Sequence, residues 1–380
     1  MPLNWIEIDL SALRHNFFQA RDRVAPECRV LGVVKSDAYG HGMIPVAREL
    51  QKCGASFFAV SKFWEAAELR RNNIGLPVLV LLGIEPADME EAIRLGVRPA
   101  IFRADQARDF SKAARRLGMP ARVHIKLDTG MGRLGIPAEE LCSFAEKIKE
   151  FPGIVLEGVL SHFADADERD KSYCEYQAGR FVRAIGEASQ QGISFAYCHI
   201  SNSAGTLEVP QAHFQLVRPG IMLYGSPPSG EPSDSVDLRP VMTFKSRIIQ
   251  LKTVPAGRPI GYGRTFVTRQ ESRIATIPVG YDDGYFRALS NRGQVLVRGK
   301  RAPVVGRVSM NMITVDVTQV PEACEDDEVV LLGAQGGERI SAEEIAALCG
   351  TISYEVYCAI GKQQRFKYFL NPSTDLNEAT

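Results

Sequence analysis

The chain has 380 residues, of which 45% are hydrophobic and 24% charged, the usual composition of a globular domain protein. Its 45 basic and 45 acidic residues give a net charge of zero, which argues against a dedicated nucleic-acid binder, because such proteins need excess Lys and Arg to neutralise phosphates. At roughly 150 residues per domain, the length predicts two or three domains.

Targeting, membrane and metal signals are weak along the whole sequence. The first ten residues, MPLNWIEIDL, contain acids and no apolar core region, so we expect no secretory signal. The longest apolar stretch, 76–84, is far shorter than the ~20 residues of a membrane helix. The eight cysteines include no C-x-x-C pair, so we expect no metal site. We therefore expect a cytoplasmic protein with reduced thiols, and neither a membrane nor a nucleic acid as partner.

The first 220 residues alternate between short β-branched runs and amphipathic stretches. Strand-like runs occur at 30–34, 57–60, 78–82, 97–102, 121–127, 154–160, 195–200 and 214–217, and helix-like stretches include 62–72, 86–95, 104–118 and 137–150. Strands alternating with helices predict a parallel sheet, and eight strands close a β/α barrel of about 250 residues. A doubly wound open sheet is the alternative, weakened by the absence of a G-x-G-x-x-G turn after the first strand.

The pattern changes after residues 226–237, SPPSGEPSDSVD, which have the composition of a linker. Gly-rich turns separate the strand-like runs 241–254, 273–279, 294–298, 302–308, 312–317 and 328–333, and one helix is predicted at 342–349, with Ser341 as its cap. The sequence thus predicts an α/β protein with an eight-stranded β/α barrel in residues 1–230 and a mainly β domain in residues 231–380. Residues 1–10 are candidates to pair with the second domain.

Polar residues follow most of the predicted barrel strands, where barrel enzymes carry their catalytic groups. Lys35 directly follows strand 30–34, where burial would lower the pKa of its amine and favour a Schiff base, although a surface lysine fits the same position. The later strands are followed by Arg133, by His162 and Asp165, by Asn202 and Ser203, and by Arg218 and Gly220. Each of these has an alternative structural explanation, such as a helix cap, but five such loops on one face favour a ligand site.

Four of these elements suit a phosphate group. The backbone N–H groups of Gly220 and Ile221, the Ser203 hydroxyl and the Tyr39 phenol are candidates to surround it. Phosphate sites near the last two strands recur in barrels of this kind. A lysine beside a phosphate site indicates pyridoxal 5'-phosphate, and a sugar-phosphate aldolase shares both elements.

These segments resemble the sequence blocks of the alanine racemase family. VVKSDAYGHG (33–42) is similar to the family's lysine motif, and the family's other blocks follow in order as DTGMGRLG, SHFADADE, SNSAG, VRPGIMLYG, GYGRTF, IPVGYDDG, GRVSMNMITVD and ISYEV. The resemblance runs from Trp5 to about Ala359. It implies an isomerase that interconverts L- and D-alanine with pyridoxal 5'-phosphate as cofactor. It also implies a homodimer whose active sites are shared between subunits, and a supply of D-alanine for peptidoglycan.

The resemblance further implies a role for each matching residue. Lys35 and Tyr262 would be the two bases on opposite faces of the substrate Cα. Arg218 would face the pyridine nitrogen, and His162 would link it to Tyr262. The phosphate would be bound by Tyr39, Ser203, Gly220, Ile221 and Tyr354, and the substrate carboxylate by Arg133 and the Met310 backbone. Lys126, a lysine that can be carbamylated, would support the Arg133 side chain. Tyr281 and Tyr354 would line the entrance. In the family Tyr262, Tyr281 and Met310 belong to the partner subunit.

One departure bears on substrate choice. Asn311 stands where the family commonly has Asp, beside the predicted substrate pocket. A racemase that prefers serine or accepts several amino acids therefore stays open. A decarboxylase of the same barrel class is disfavoured, because that class places an acid where Arg218 stands. A non-enzymatic pyridoxal-phosphate carrier would resemble the barrel alone and would leave the second domain unexplained.

Overall fold

The computed structural model describes residues 2–231, 236–362 and 366–370. Of the predicted linker, residues 232–235 lie outside the described residues. The first part of the chain contains β1 (Asn4–Asp9), α1 (Leu10–Arg21), β2 (Arg29–Val33), the single turn α2 (Lys35–Gly40), α3 (Met43–Lys52), β3 (Phe57–Val60), α4 (Phe63–Arg71), β4 (Val78–Val80), α5 (Met89–Arg94), β5 (Val97–Ile101), α6 (Ala104–Leu117), β6 (Ala121–Asp128), β7 (Ile136–Pro137), α7 (Leu141–Lys149), β8 (Ile154–Leu160), α8 (Ser172–Gln190), β9 (Tyr197–His199), α9 (Ser203–Glu208) and β10 (Leu216–Val217).

Eight of these strands form a parallel, nearly closed barrel. Neighbouring strands follow the order β10-β2-β3-β4-β5-β6-β8-β9, with β7 paired to β6. Across the remaining gap, the Arg218 N–H donates to the Ser201 carbonyl at 2.9 Å. The strands β3 and β4 are buried along their whole length, as expected where helices cover a parallel sheet. The predicted barrel is confirmed, and the open doubly wound sheet is wrong.

The helices begin and end where local chemistry requires. Helix α6 ends at Gly118, whose φ of 63° lies in the left-handed region that glycine adopts readily. Helix α10 (Ala342–Cys349) begins at Ser341, which accepts from the Glu344 N–H at 3.1 Å, and ends at the left-handed Gly350. The predicted helix 342–349 is therefore confirmed.

The second part of the chain is mainly β. Its elements are β11 (Met242–Arg247), β12 (Gln250–Val254), β13 (Pro259–Ile260), β14 (Phe266–Val267), β15 (Ser272–Ile277), β16 (Gln294–Val297), β17 (Lys300–Pro303), β18 (Ile313–Asp316), β19 (Glu328–Gln335), β20 (Glu338–Ile340), α10, α11 (Ser353–Gly361) and β21 (Phe366–Phe369). The larger sheet has the order β17-β16-β19-β11-β1-β21, and β12, β15 and β18 form a second sheet.

The predicted single run 241–254 is wrong, because two strands of different sheets occupy it. Strand β11 ends at Arg247, and β12 begins at Gln250. Between them the Ile248 N–H donates to Asp327 and the Ile249 N–H donates to Thr276, so the backbone changes partner from one sheet to the other. Residues 247–250, RIIQ, contain no Gly, Pro, Asn or Asp that would mark this change in the sequence.

Strand β1 and the turn α2 both contact the second part of the chain. Strand β1 pairs antiparallel with β11 and parallel with β21. The turn α2 packs against α11 so closely that a Cβ on Gly361 would lie 2.2 Å from the Gly40 carbonyl oxygen. The second part therefore supports the segment that carries Lys35.

Candidate active site

A cavity of about 400 Å³ opens at the carboxyl ends of the barrel strands. It is lined by ten of the predicted site residues, namely Lys35, Tyr39, Lys126, Arg133, His162, Ser203, Arg218, Gly220, Ile221 and Tyr354, together with Asn202 and apolar residues of neighbouring strands. The structure thus brings together side chains that are up to 319 positions apart in the sequence (354 − 35). This is the end of a β/α barrel at which active sites form.

Lys35 begins a left-handed turn. The four residues after it, Ser36 to Tyr39, have φ between 53° and 55°, a region that costs a non-glycine residue roughly 1–2 kcal/mol. The turn is held from outside by Glu65, which accepts from the Ser36 N–H at 2.6 Å. Its own Asp37 accepts from the Met43 N–H at 2.6 Å and so begins α3. These contacts fix the backbone from which the Lys35 amine projects into the cavity.

Arg218 is buried at the floor of the cavity, and both of its terminal nitrogens, Nη1 and Nη2, contact polar atoms of the barrel. Its Nη2 donates to the carbonyls of Ser161 at 2.6 Å and Ile200 at 2.9 Å, and lies 3.1 Å from His162 Nδ1. Its Nη1 lies 2.9 Å from His199 Nδ1. Because arginine has only donors, both histidine nitrogens must accept. The predicted link between Arg218 and His162 is thus present in the structure.

Hydroxyl and backbone groups gather on another wall of the cavity. Ser203 Oγ accepts from the Gly220 N–H at 2.8 Å, whereas the cap of α9 is Asn202, which accepts from the Gly205 N–H at 2.9 Å. The Tyr39 hydroxyl lies so close to Gly220 that a Cβ there would approach it to 2.5 Å. The rings of Tyr39 and Tyr354 are 5.9 Å apart. This wall offers several hydrogen-bond donors to an anion, and the absence of a side chain on Gly220 keeps it open.

Arg133 is presented by a tight loop that follows β6. Asp128 accepts from the N–H groups of Gly130, Met131 and Gly132 at 2.9–3.1 Å, which closes the loop. Below Arg133, Lys126 is buried within the barrel, with 9% of its surface exposed. The charges of Arg218 and Arg133 add to burial, and together they lower the pKa of the Lys126 amine well below its usual range.

The cavity is strongly cationic. Its lining includes Lys35, Lys126, Arg133 and Arg218, and none of its described lining residues is acidic. Burial, followed by the charges of Arg133 and Arg218, lowers the pKa of Lys35, which the carboxylate of Glu65 opposes. Burial and the same cations lower the pKa of His162 well below its usual value, so this ring is neutral. The site therefore suits a ligand with more than one negative charge, and it holds an amine that is easily deprotonated.

Four predicted residues lie apart from this cavity. Tyr262, Tyr281, Met310 and Asn311 are exposed, Tyr262 to 72%, and do not line it. The loops of Tyr281 and Met310 are joined, because the Tyr281 N–H donates to Ser309 and the Asp282 N–H donates to Met310, both at 3.0 Å. All four side chains are thus exposed on the second part of the chain.

The sequence analysis missed Glu65 and a set of polar residues inside the barrel. His124, Glu157 and His199 are buried, and each lies on a barrel strand. The available signal was polar residues within otherwise apolar strand runs, such as the alternating Arg122, His124 and Lys126 of β6. Within the described ranges, no three His, Cys, Asp or Glu side chains are grouped to hold a metal ion.

Two family models together match most of the chain. The model "Alanine racemase, N-terminal domain" covers residues 8–228, and "Alanine racemase, C-terminal domain" covers residues 241–368. The chain belongs to the alanine racemase family. It is thereby an enzyme of the isomerase class.

Individual relatives agree with the family assignment. The alanine racemase of Syntrophobacter fumaroxidans is 66% identical over 99% of this chain and 100% of its own length. The alanine racemase of Geobacter sulfurreducens is 46% identical over 97% of both chains. Among solved structures, the alanine racemase of Clostridium difficile 630 superposes with a TM-score of 0.91 at 35% identity, covering 98% of this chain and 97% of that one. No helix in the described residues is long and apolar enough to span a membrane.

Proposed function

We propose that this protein interconverts L-alanine and D-alanine by a two-base mechanism that depends on pyridoxal 5'-phosphate. The observation that carries the proposal is the cavity in which Lys35 projects beside the basic side chains of Lys126, Arg133 and Arg218, with no acidic side chain among its described lining residues. The cofactor carries a phosphate, and the substrate adds a carboxylate, so the ligands would bring the negative charge that this lining lacks.

The residues present fit that cofactor. Lys35 is the amine that would bind its aldehyde, and the lowered pKa makes the neutral, nucleophilic form accessible. The wall formed by Tyr39, Ser203 and Gly220 offers hydroxyl donors for the phosphate, since Ser203 Oγ accepts from the Gly220 N–H and keeps its own proton to donate. Arg218 would face the ring nitrogen as a donor that keeps its protons. When bound, pyridoxal 5'-phosphate anchors the substrate amino group and withdraws electrons from Cα.

Racemisation requires a proton to leave one face of Cα and another to arrive on the opposite face. Lys35 would hold or deliver the proton on one face. We assign the other face to Tyr262, which lies outside the cavity of its own chain and is 72% exposed. Its distance from the lining residues supports a homodimer in which Tyr262 reaches the partner's cavity. His162 Nδ1 accepts from Arg218, so its Nε2–H is free to orient the incoming Tyr262 hydroxyl.

Arg133 and the Met310 backbone would bind the substrate carboxylate, with Lys126 behind Arg133. The Arg133 fork matches a carboxylate in two places, and the Asp128 loop holds its backbone. Tyr281 and Asn311 would border the substrate, since their loops are tied to Met310. The uncharged Asn311 favours one second candidate function, a racemase that also accepts serine or other small amino acids.

The experiment compares cofactor-loaded wild-type protein with K35A and Y262F, using chiral detection of the amino acid formed. K35A is expected to lose the bound chromophore and turnover, and Y262F to keep the chromophore but lose turnover of L-alanine. Racemisation in both variants would overturn the two-base assignment. A cofactor-loaded wild type without turnover would indicate a carrier. A higher kcat/KM for serine in a panel of L-amino acids would replace alanine as the preferred substrate.

We propose a division into residues 1–230 and 231–380, and the bounds of the two family models, 8–228 and 241–368, support it. The enzyme would act in the cytoplasm, where its thiols stay reduced. Its D-alanine would serve peptidoglycan synthesis, which is tested by D-alanine dependence of cells that lack the protein.

A further inference from the structure

A line of buried polar side chains runs from the floor of the cavity into the barrel. His199 Nδ1 lies 2.9 Å from Arg218 Nη1, and His199 Nε2 lies 3.0 Å from His124 Nδ1. His124 Nε2 in turn lies 3.4 Å from Glu157 Oε2. Both rings are completely buried. The line thus connects the residue at the cavity floor to a carboxylate two rings away.

The backbone makes room for this line. Gly158 follows Glu157 in β8, and a Cβ at that position would lie 2.4 Å from His124 Nδ1. The pairing of β6 and β8 shifts register between Val123 and His124, at the same place. Apolar side chains would fill a barrel interior at lower cost than two histidines and a carboxylate. The geometry therefore suggests that the polar line has a use beyond packing.

The direction of every proton in the line follows from its two ends. Arg218 can only donate, so His199 Nδ1 accepts and its proton is on Nε2. That proton can only go to His124 Nδ1, which leaves the His124 proton on Nε2, facing Glu157. A carboxylate can accept this last proton, so all three hydrogen bonds point the same way. The donor Arg218 at one end and the ionised acid at the other thus select the same tautomer of both rings.

Glu157 is held in its ionised form. Arg98 from β5 donates to Oε2 at 3.1 Å, and Arg122 from β6 lies 3.6 Å from Oε1. Burial alone would raise the pKa of Glu157, but the hydrogen bonds from His124 and Arg98 and the charge of Arg98 lower it to about 2. The far end of the line therefore stays an acceptor at any pH near neutrality.

We propose that Glu157 and His124 are positioning residues, which fix the tautomer of His199 and through it the orientation of the Arg218 guanidinium. They keep His199 Nδ1 an acceptor, so that it binds Arg218 Nη1 and the guanidinium stays in one orientation toward the cavity. This inference rests on the proposed function for its catalytic consequence, but its structural content concerns the tautomers alone.

The first measurement is the tautomer of the buried histidines in cofactor-loaded protein, from ¹⁵N chemical shifts of the ring nitrogens. The His124 signal is assigned by its loss in H124N, and the His199 signal by its loss in H199N. Both rings are expected in the form protonated on Nε2. A His124 or His199 ring protonated on Nδ1 in the wild type overturns the proposal. This readout is independent of turnover, so it stands even if the proposed function fails.

The second measurement compares E157Q with R122Q. The amide of E157Q can donate to His124 Nε2, which allows the opposite tautomer of this ring. R122Q removes a half-exposed arginine beside the same carboxylate and leaves Glu157 with its negative charge. E157Q is expected to shift the His124 and His199 signals and to lower kcat by about three- to tenfold with little change in KM, and R122Q to change neither. Unaltered signals and kcat in E157Q, with only a lower melting temperature, would assign Glu157 a purely structural role and overturn the proposal.

Discussion

The N–H of Ser36 donates a 2.6 Å hydrogen bond to the buried carboxylate of Glu65. The second oxygen of Glu65 accepts from the N–H groups of Ser61 and Lys62, both at 2.9 Å, at the start of α4. One side chain therefore ties the left-handed turn after Lys35 to the neighbouring barrel loop. Because the turn is costly for its residues, contacts of this kind must stabilise it.

Replacing Glu65 by glutamine is expected to destabilise the protein. The side chain keeps its size, but one acceptor oxygen becomes an N–H donor that faces backbone N–H groups, which costs about 1–3 kcal/mol in the free energy of unfolding. Urea denaturation measures this change. E68Q on the same helix is the control, since Glu68 is half-exposed and bonds only locally, and we expect a change within about 0.5 kcal/mol. Equal losses in both variants would contradict the role of Glu65.

Gly40 is expected to tolerate no side chain. Its φ is 81°, and a Cβ would lie 2.4 Å from the Tyr357 carbonyl oxygen of α11. G40A should therefore lower the free energy of unfolding by more than backbone strain alone, and should weaken cofactor binding by displacing the Lys35 turn. G54A is the control, because Gly54 has a φ of 96° in open space and should cost only about 1 kcal/mol. Thermal unfolding and cofactor titration distinguish the two, and similar results for both would rule out the close contact as the cause.

Mixed dimers test whether the active site is shared. K35A and Y262F are each expected to be inactive, but a dimer with one chain of each kind would contain one complete site if Tyr262 serves the partner's cavity. Random mixing should then restore about a quarter of wild-type activity, because about half of the dimers are mixed and each has one complete site. Co-expression with two affinity tags isolates the mixed dimer. An inactive mixed dimer would place Tyr262 in the site of its own chain.

The two charged neighbours of Lys35 should shift its pKa in opposite directions. Burial and the charge of Arg133 lower the pKa of Lys35, while the charge of Glu65 raises it. R133M should therefore raise the pKa of the Lys35 amine, and E65Q should lower it. Only the neutral amine reacts with an aldehyde. The pH at half-maximal cofactor loading should therefore rise in R133M and fall in E65Q, together with the pKa of Lys35. R103M, which removes an exposed arginine paired with Asp105, should leave this pH unchanged.

Glu157 gives a pH dependence of stability with a defined sign. Its pKa falls from 4.5 to about 2 on folding, so its contribution is complete above pH 4.5 and is lost as the pH falls toward 2. The difference in unfolding free energy between wild type and E157Q should be constant between pH 7 and pH 5. It should then narrow by about 1 kcal/mol by pH 3.5. Urea denaturation at a series of pH values measures it, and a difference that widens on acidification would contradict the assigned sign.

Strand periodicity and strand-end position predicted the barrel, the mainly β second part and eight of the ten cavity residues, whereas Lys126 and Tyr354 followed only from the family resemblance. The sequence did not predict the left-handed turn, since Ser36 and Ala38 have no preference for positive φ, and Glu65 with α11 imposes that conformation from distant parts of the chain. The line through His124 and His199 was likewise hidden, because it depends on which strands are adjacent in the barrel. Sequence reasoning also merged β11 with β12, because residues 247–250 contain no Gly, Pro, Asn or Asp to mark the change of sheet.

Strand β1 has a consequence for the order in which the protein assembles. Ile6 is in register with Phe244 on one side and with Phe366 on the other, so its partners are among the most distant residues in the chain. During synthesis, β1 emerges long before either partner, and its backbone donors and acceptors stay exposed while the barrel forms. Such long-range pairing slows folding. We expect the protein to acquire its final stability only after β21 has joined the sheet.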